Sequence, residues 1–174
     1  MAEQLSLDRS KTAVLIMDYQ NRQLSLFPED AKQEFLARAN EVLAKARCEG
    51  IPVIYVEVRR GEKTPETEIH PAITPKPGEL VLTKRRVGPF STTNLDEVLK
   101  KQGIETLVLM GISTSGCVLS TVRWAADIDY RLIVLSDCCA DRDEEVHRVL
   151  TEKIFPRQAT VVTAEEFHKA LETR

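Results

Sequence analysis

The sequence predicts an α/β fold, a three-layer sandwich in which a six-stranded, mostly parallel sheet is flanked by helices. Three observations carry this expectation. Short, continuous apolar runs rich in β-branched residues recur along the chain. Stretches with apolar residues at helical spacing separate them. The chain has 174 residues, enough for one domain with a full core, taken as residues 1–174. Strands that are apolar on both sides and alternate with helices belong to parallel sheets covered on both faces.

The first strand is TAVLIM (12–17), which ends at Asp18. A helix is expected from about Pro28, with Phe35, Ala39, Val42 and Ala46 on one face and Leu36 and Leu43 beside them. Proline suits a first turn, and Gly50 suits the position just past the helix end. PVIYVEV (52–58) is the second strand. Residues 59–79 hold Pro65, Pro71, Pro75 and Pro77 and read as a long irregular loop, of a kind that is often functional. LVLT (80–83) is the third strand, ending at Lys84. Thr92, Thr93 or Asn94 can cap a helix carrying Leu95, Val98 and Leu99, closed near Gly103. TLVLM (106–110) is the fourth strand. Beyond the GISTS loop, Val118, Leu119, Val122, Ala125 and Ala126 fit one helical face. A strand RLIVLS (131–136), a helix over 144–154, a strand ATVVT (159–163) and a helix from Ala164 complete the chain.

Composition narrows the function classes. The net charge is −3, and the densest basic cluster is KRR at 84–86, so neither nucleic acid nor a membrane is expected as a partner. MAEQLSLDRS at the start is polar and acidic, unlike a signal peptide, and no run reaches transmembrane length. A cytoplasmic location is therefore expected. Cys48, Cys117, Cys138 and Cys139 then read as reduced thiols, and their spacing with the three histidines makes no zinc pattern.

In open parallel sheets the ligand crevice lies at the carboxyl ends of the strands. Asp18, Lys84 and Cys117 all fall at such ends. Cys117 sits at or next to a helix start, where unpaired N–H groups and partial positive charge favour thiolate over thiol and can hold an oxyanion. On position alone a small buried cysteine is the commoner outcome. Asp18 alone could be a turn residue, and Lys84 alone a solvated cation. Together, a carboxylate can take the thiol proton and an ammonium can stabilise negative charge. Cys138 and Cys139 are adjacent, without a redox CxxC spacer, and read as buried. His70, His147 and His168 lie away from the strand ends, which weakens a Cys–His enzyme. Gln20, Phe90 and Thr114 are the expected substrate contacts, whereas Arg123 and Trp124 read as helix surface or interface.

Four segments in register, AVLIMDYQN (13–21), VLTKRRVGPFSTTNLDEVLKKQGI (81–104), LVLMGISTSGCV (107–118) and SDCCAD (136–141), resemble the isochorismatase-like cysteine hydrolase superfamily. That superfamily includes nicotinamidases, N-carbamoylsarcosine amidase and ureidoacrylate amidohydrolases. The resemblance implies a six-stranded parallel sheet and a catalytic triad of Asp18, Lys84 and Cys117. It also implies a cis peptide between Ile112 and Ser113, with the Ser113 and Cys117 N–H groups as the oxyanion hole. The implied reaction is attack of Cys117 on a small amide or similar C–N substrate, with Asp18 as proton acceptor and a thioester intermediate. Homo-oligomers, dimers or larger, are common in the superfamily and are expected.

The sequence departs from nicotinamidases, which carry an aspartate and two histidines for a metal before the lysine. Here EVRRGEKTPETEIHPAITPKPGEL supplies only His70, so no metal and no other cofactor is expected. True isochorismatases, which cleave a vinyl ether, lack the nucleophilic cysteine. An ether hydrolase with an incidental Cys117, a non-catalytic binding protein on the same fold and a thiol redox protein stand as alternatives.

Overall fold

The computed structural model describes residues 5–172. Residues 1–4, part of the acidic N-terminal stretch, and 173–174 lie outside the described residues. The described residues form six strands: β1 (Thr12–Met17), β2 (Val53–Val58), β3 (Leu80–Lys84), β4 (Thr106–Ile112), β5 (Arg131–Ala140) and β6 (Thr160–Val162). They form one sheet in the order β3-β2-β1-β4-β5-β6, and every pairing is parallel. The helices are α1 (Asn21–Leu24), α2 (Glu29–Cys48), α3 (Leu95–Lys101), α4 (Leu119–Asp127), α5 (Glu144–Val149) and α6 (Ala164–Glu172).

Alternation along the strands sorts the core into two layers. Val14 and Ile16 of β1 face a cluster holding Leu36 and Leu43 of α2 and Phe167 and Leu171 of α6. Ala13, Leu15 and Met17 face the opposite cluster, with Leu95 and Leu99 of α3 and Val122 and Ala125 of α4. All six residues of β1 and all seven of β4 are buried, as central strands with both faces covered must be. The three layers are therefore helices, sheet, helices.

The strand order reverses direction between β1 and β4. Connections leaving these neighbours diverge, and a crevice opens at their carboxyl ends. Asp18 follows β1 and Cys117 follows β4, so the topology itself brings them to one place.

Four local features differ from the sequence expectation. Strand β5 runs on through Asp137, Cys138 and Cys139 to Ala140, because a register irregularity between Leu109 and Gly111 lets it re-pair with β4. The helix expected over 144–154 is α5 followed by a π-turn, Leu150–Ile154. A short helix, α1, follows Gln20, where none was expected. The proline-rich stretch 59–79 contains two single turns, Pro65–Thr67 and Pro71–Ile73, and is tied to the body by a bridge between Gln20 and Ile69.

Candidate active site

Asp18 ends β1 with φ of 58°, in the left-handed region that non-glycine residues seldom adopt. That conformation costs about 1–2 kcal/mol and is held by tertiary contacts. The Asp18 N–H donates to Val56 O at 2.8 Å, and the next carbonyl, on Tyr19, accepts from His70 N at 2.9 Å. The Tyr19 ring stacks on Phe35, and its hydroxyl donates to Cys138 O at 2.7 Å. The residue that bears the carboxylate is thus clamped from both sides.

Lys84 ends β3 and is 1% exposed. Its Nζ donates to Asp18 Oδ2 at 2.8 Å and to Arg86 O at 3.3 Å. Asp18 Oδ1 is buried and accepts from no group among the described residues. Burial raises the Asp18 carboxyl to about 6, against the attraction of Lys84, which pulls it down. Buried Glu57, hydrogen-bonded by Thr83 Oγ1 at 2.8 Å, adds to the upward push.

Cys117 lies in a π-turn, Thr114–Val118, that joins β4 to α4. Its thiol donates to Ile112 O at 3.2 Å, with Ser113 O at 3.7 Å. Burial and then the Asp18 charge push the thiol well above its ordinary range, although Lys84 opposes them. The expectation that a helix start would favour thiolate is therefore overturned. Partial charges at a helix end are outweighed by removal from water and by the neighbouring carboxylate. The resting pair is a neutral thiol beside a carboxylate that is mostly ionised at neutral pH.

Gly111 makes room for this arrangement. A Cβ there would stand 3.1 Å from Cys117 Sγ and 3.1 Å from Met17 O. The sulfur thus sits directly over the β1–β4 seam. The peptide bond between Ile112 and Ser113 is cis.

The turn bearing Cys117 is held from the β5–α5 side. Thr114 Oγ1 lies 2.7 Å from His147 Nδ1, and the Ser115 N–H donates to Asp141 Oδ2 at 2.8 Å. Burial lowers the His147 ring below its ordinary range, so it is neutral at neutral pH. The role of His147 was not read from the sequence. Its ring touches the turn from 33 residues away, and no local pattern marks such a contact.

A cavity of about 310 Å³ opens beside the three residues, and Asp18, Lys84, Ser113 and Cys117 all line it. Leu26, Phe27, Val58 and Val87 supply apolar walls. This is the small end of ligand-site sizes.

None of the three expected substrate contacts lines this cavity, although Gln20 borders an adjoining cleft with Gln23, Val58 and Arg60. Gln20 is fully buried; its Nε2 donates to Val58 O at 3.0 Å and Thr67 O at 2.6 Å, and its Oε1 accepts from Val58 N at 2.8 Å. Both ends of its amide are spent on backbone. Phe90 is buried against Trp124 and Tyr130. Thr114 is fully buried, with its hydroxyl on His147. Gln23, Arg60, Arg86 and Arg142 line the cavity instead. Cys138 and Cys139 are buried, as expected, and Cys48 is exposed. Among the described residues no cluster of three His, Cys, Asp or Glu side chains is placed to hold a metal, and no helix is long and apolar enough to cross a membrane.

A parallel sheet with a thiol, a carboxylate and a lysine gathered at the switch point, beside a small cavity, defines an α/β protein with a small-molecule-sized crevice at its strand ends. A family model described as the isochorismatase domain matches residues 12–166. The chain belongs to the isochorismatase family of hydrolases. The isochorismatase family protein YecD of Escherichia coli O157:H7 is 31% identical over 96% of this chain and 100% of its own length. The ureidoacrylate amidohydrolase RutB of Pseudomonas syringae is 29% identical over 95% of this chain and 81% of its own. The solved structure of N-carbamoylsarcosine amidase from Thermoplasma acidophilum superposes with a TM-score of 0.79 at 28% identity, covering 89% of this chain and 97% of its own.

Proposed function

We propose that the chain is a cysteine hydrolase that cleaves a small, non-peptide amide or related C–N bond through a thioester on Cys117. The observation that carries this reading is the meeting of Asp18, Lys84 and Cys117, from the ends of three strands, at one cavity. The similarity to proteins named as a ureidoacrylate amidohydrolase and an N-carbamoylsarcosine amidase supports the choice of bond.

Asp18 is the general base. Its carboxylate takes the thiol proton as Cys117 Sγ attacks the carbonyl carbon. A resting thiol suits this role, because the proton moves only when the substrate is in place. The Ser113 and Cys117 N–H groups receive the developing oxyanion. Lys84 holds the carboxylate in position and offsets the charge that gathers there. Asp18 then returns the proton to the leaving nitrogen, and ammonia or an amine departs. Water, deprotonated by Asp18, attacks the thioester; the carbonyl re-forms, and the thiolate leaves and regains its proton. The products are a carboxylic acid and ammonia or an amine.

Ammonia release over a panel of small primary amides tests the reading. Turnover is expected for the unaltered chain and not for Cys117→Ala or Asp18→Asn. Release that survives Cys117→Ala, or a panel that yields none, sinks it.

A further inference from the structure

We propose that α4 forms a two-fold interface with a second copy of this chain: the helix packs antiparallel on its copy, Arg123 meets Asp127 of the partner subunit, and the partner covers the mouth of the cavity beside Cys117. The proposal stands apart from the amidase reading, because it concerns what closes the cavity and not what is cleaved there.

An apolar band on the surface leads to the cavity. Five large apolar side chains are exposed among the described residues: Leu26, Val81, Val87, Trp124 and Ile128. All but Val81 lie together. Leu26 and Val87 border the cavity beside Cys117. Gly88, next to Val87, lies against α4; a Cβ there would stand 3.2 Å from Ser120 Cβ. Ser120 and Trp124 share one face of α4 with Ile128, the residue that follows the helix, and with Arg123 and Asp127 they line a groove of about 530 Å³. Apolar side chains scattered singly need no partner, but a continuous band rimmed by charge marks an interaction surface.

Trp124 is 47% exposed, yet it is already fixed in place. Its ring stacks on Phe90, with centroids 6.4 Å apart and planes 8° from parallel. An aromatic anchor held rigid before docking loses little conformational freedom on binding. Tryptophan and arginine are the side chains that carry most energy at such interfaces.

The charges on this face select the occupant. Asp127 is the last residue of α4, and its carboxylate pairs with nothing among the described residues. It stands at the negative end of the helix dipole, where a cation is favoured. Helix α4 has no basic residue in its last turn, whereas α2 has Lys45 and Arg47 and α3 has Lys100 and Lys101. Arg123, one turn earlier, is bonded elsewhere, donating to Gln158 Oε1. A second copy supplies the missing cation. Two antiparallel α4 helices related by a two-fold axis bring Arg123 of each copy to Asp127 of the other. The face carries both halves of the contact, as an isologous interface requires, and the contact is made twice.

The same geometry reaches the cavity. Helix α4 begins two residues beyond Cys117, so its first turn lies at the carboxyl edge of the sheet. The antiparallel partner lays its last turn there, and the partner's Ile128 comes towards Ser120 and Val87. Val87, 53% exposed in the single chain, is then covered at the cavity mouth.

Sedimentation velocity on the full chain at micromolar concentration tests the proposal. The unaltered chain is expected to sediment as a dimer. Arg123→Asp and Asp127→Arg each set like charges against one another twice and are expected to sediment as monomers. An equimolar mixture of the two variants restores opposite charges at both contacts and is expected to give a heterodimer; the chain carrying both changes is expected to dimerise by itself. A monomeric unaltered chain overturns the proposal, and so does an oligomer that persists in both single variants. Trp124 is the chain's one tryptophan, so its emission reads the interface without any substitution. A red shift is expected as dilution parts the dimer, and emission that stays constant through dissociation overturns the assignment to α4. Iodoacetamide, followed by mass spectrometry, is expected to modify Cys117 several-fold faster in either single variant than in their mixture. Equal rates overturn the partner's place over the cavity mouth.

Discussion

Thr114 Oγ1 and His147 Nδ1 lie 2.7 Å apart, and this contact ties the turn that carries Cys117 to helix α5. With the Asp141–Ser115 bond, it fixes the two residues that open the turn. Both partners sit outside the cavity lining, so their influence on the reaction passes through the position of the sulfur.

Thr114→Val keeps the shape and removes the hydroxyl. It is expected to lower kcat ~10-fold with little change in KM, because a loosened nucleophile is misplaced while the substrate pocket stays whole. Steady-state kinetics on a primary amide from the panel that the unaltered chain turns over, with circular dichroism to confirm the fold, checks this. A change confined to KM contradicts it.

The Asp18 carboxyl, raised to about 6 by burial, predicts the acid side of the pH profile. The base must be ionised to accept the thiol proton, so kcat/KM is expected to rise with pH through about 6 and then level off. Stability has the opposite sign. The folded form holds this proton more tightly than a carboxyl at its ordinary 3.8, so stability falls as pH climbs from about 4 to about 6. Asp18→Asn flattens that part of the stability curve, which denaturant titrations across the range would reveal. Lys84→Met leaves a buried carboxylate without its counter-charge, and any remaining activity is expected to shift its acid limb upward.

Gly111→Ala places a methyl 3.1 Å from both Cys117 Sγ and Met17 O. Backbone on the central strand cannot retreat cheaply, so the sulfur is displaced as well. A loss of about 1–3 kcal/mol in unfolding free energy is expected, together with a drop in the rate at which iodoacetamide modifies Cys117. Unfolding midpoints and alkylation rates measure the two effects separately.

Gln20→Ala strands Val58 N, Val58 O and Thr67 O, which now share one buried amide. The expected cost is about 1–3 kcal/mol. Because Gln20 joins β2 to the proline-rich loop, amide exchange and proteolytic cutting are expected to increase within 59–79. A variant that loses substrate affinity but protects this loop as before contradicts the structural role.

Much of the fold is legible in the residues themselves. TAVLIM, VIYVEV and TLVLM are apolar on both sides, and only a covered parallel strand buries such runs. Asp18 follows the first of these runs, Lys84 ends LVLTK and Cys117 follows the turn after TLVLM, so all three come to the carboxyl edge of the sheet. The run RLIVLS predicts a strand that stops at Ser136, and the continuation of β5 to Ala140 depends on a register shift against β4.

The roles of side chains beyond that edge were less legible. Gln20 and Thr114 stand next in sequence to Asp18 and Cys117 or close by, yet their polar groups point into the protein and bind distant partners. The sequence by itself determined the six alternating strands and the placing of Asp18, Lys84 and Cys117 at or beyond three of their carboxyl ends, because burial patterns are local in the chain. The tertiary structure alone decided that burial pushes the Cys117 thiol up, that burial raises the Asp18 carboxyl to about 6 and that Arg60, Arg86 and Arg142 share one cavity. Those properties depend on exclusion of water and on distances between segments far apart along the chain, and neither is written in any single stretch of it.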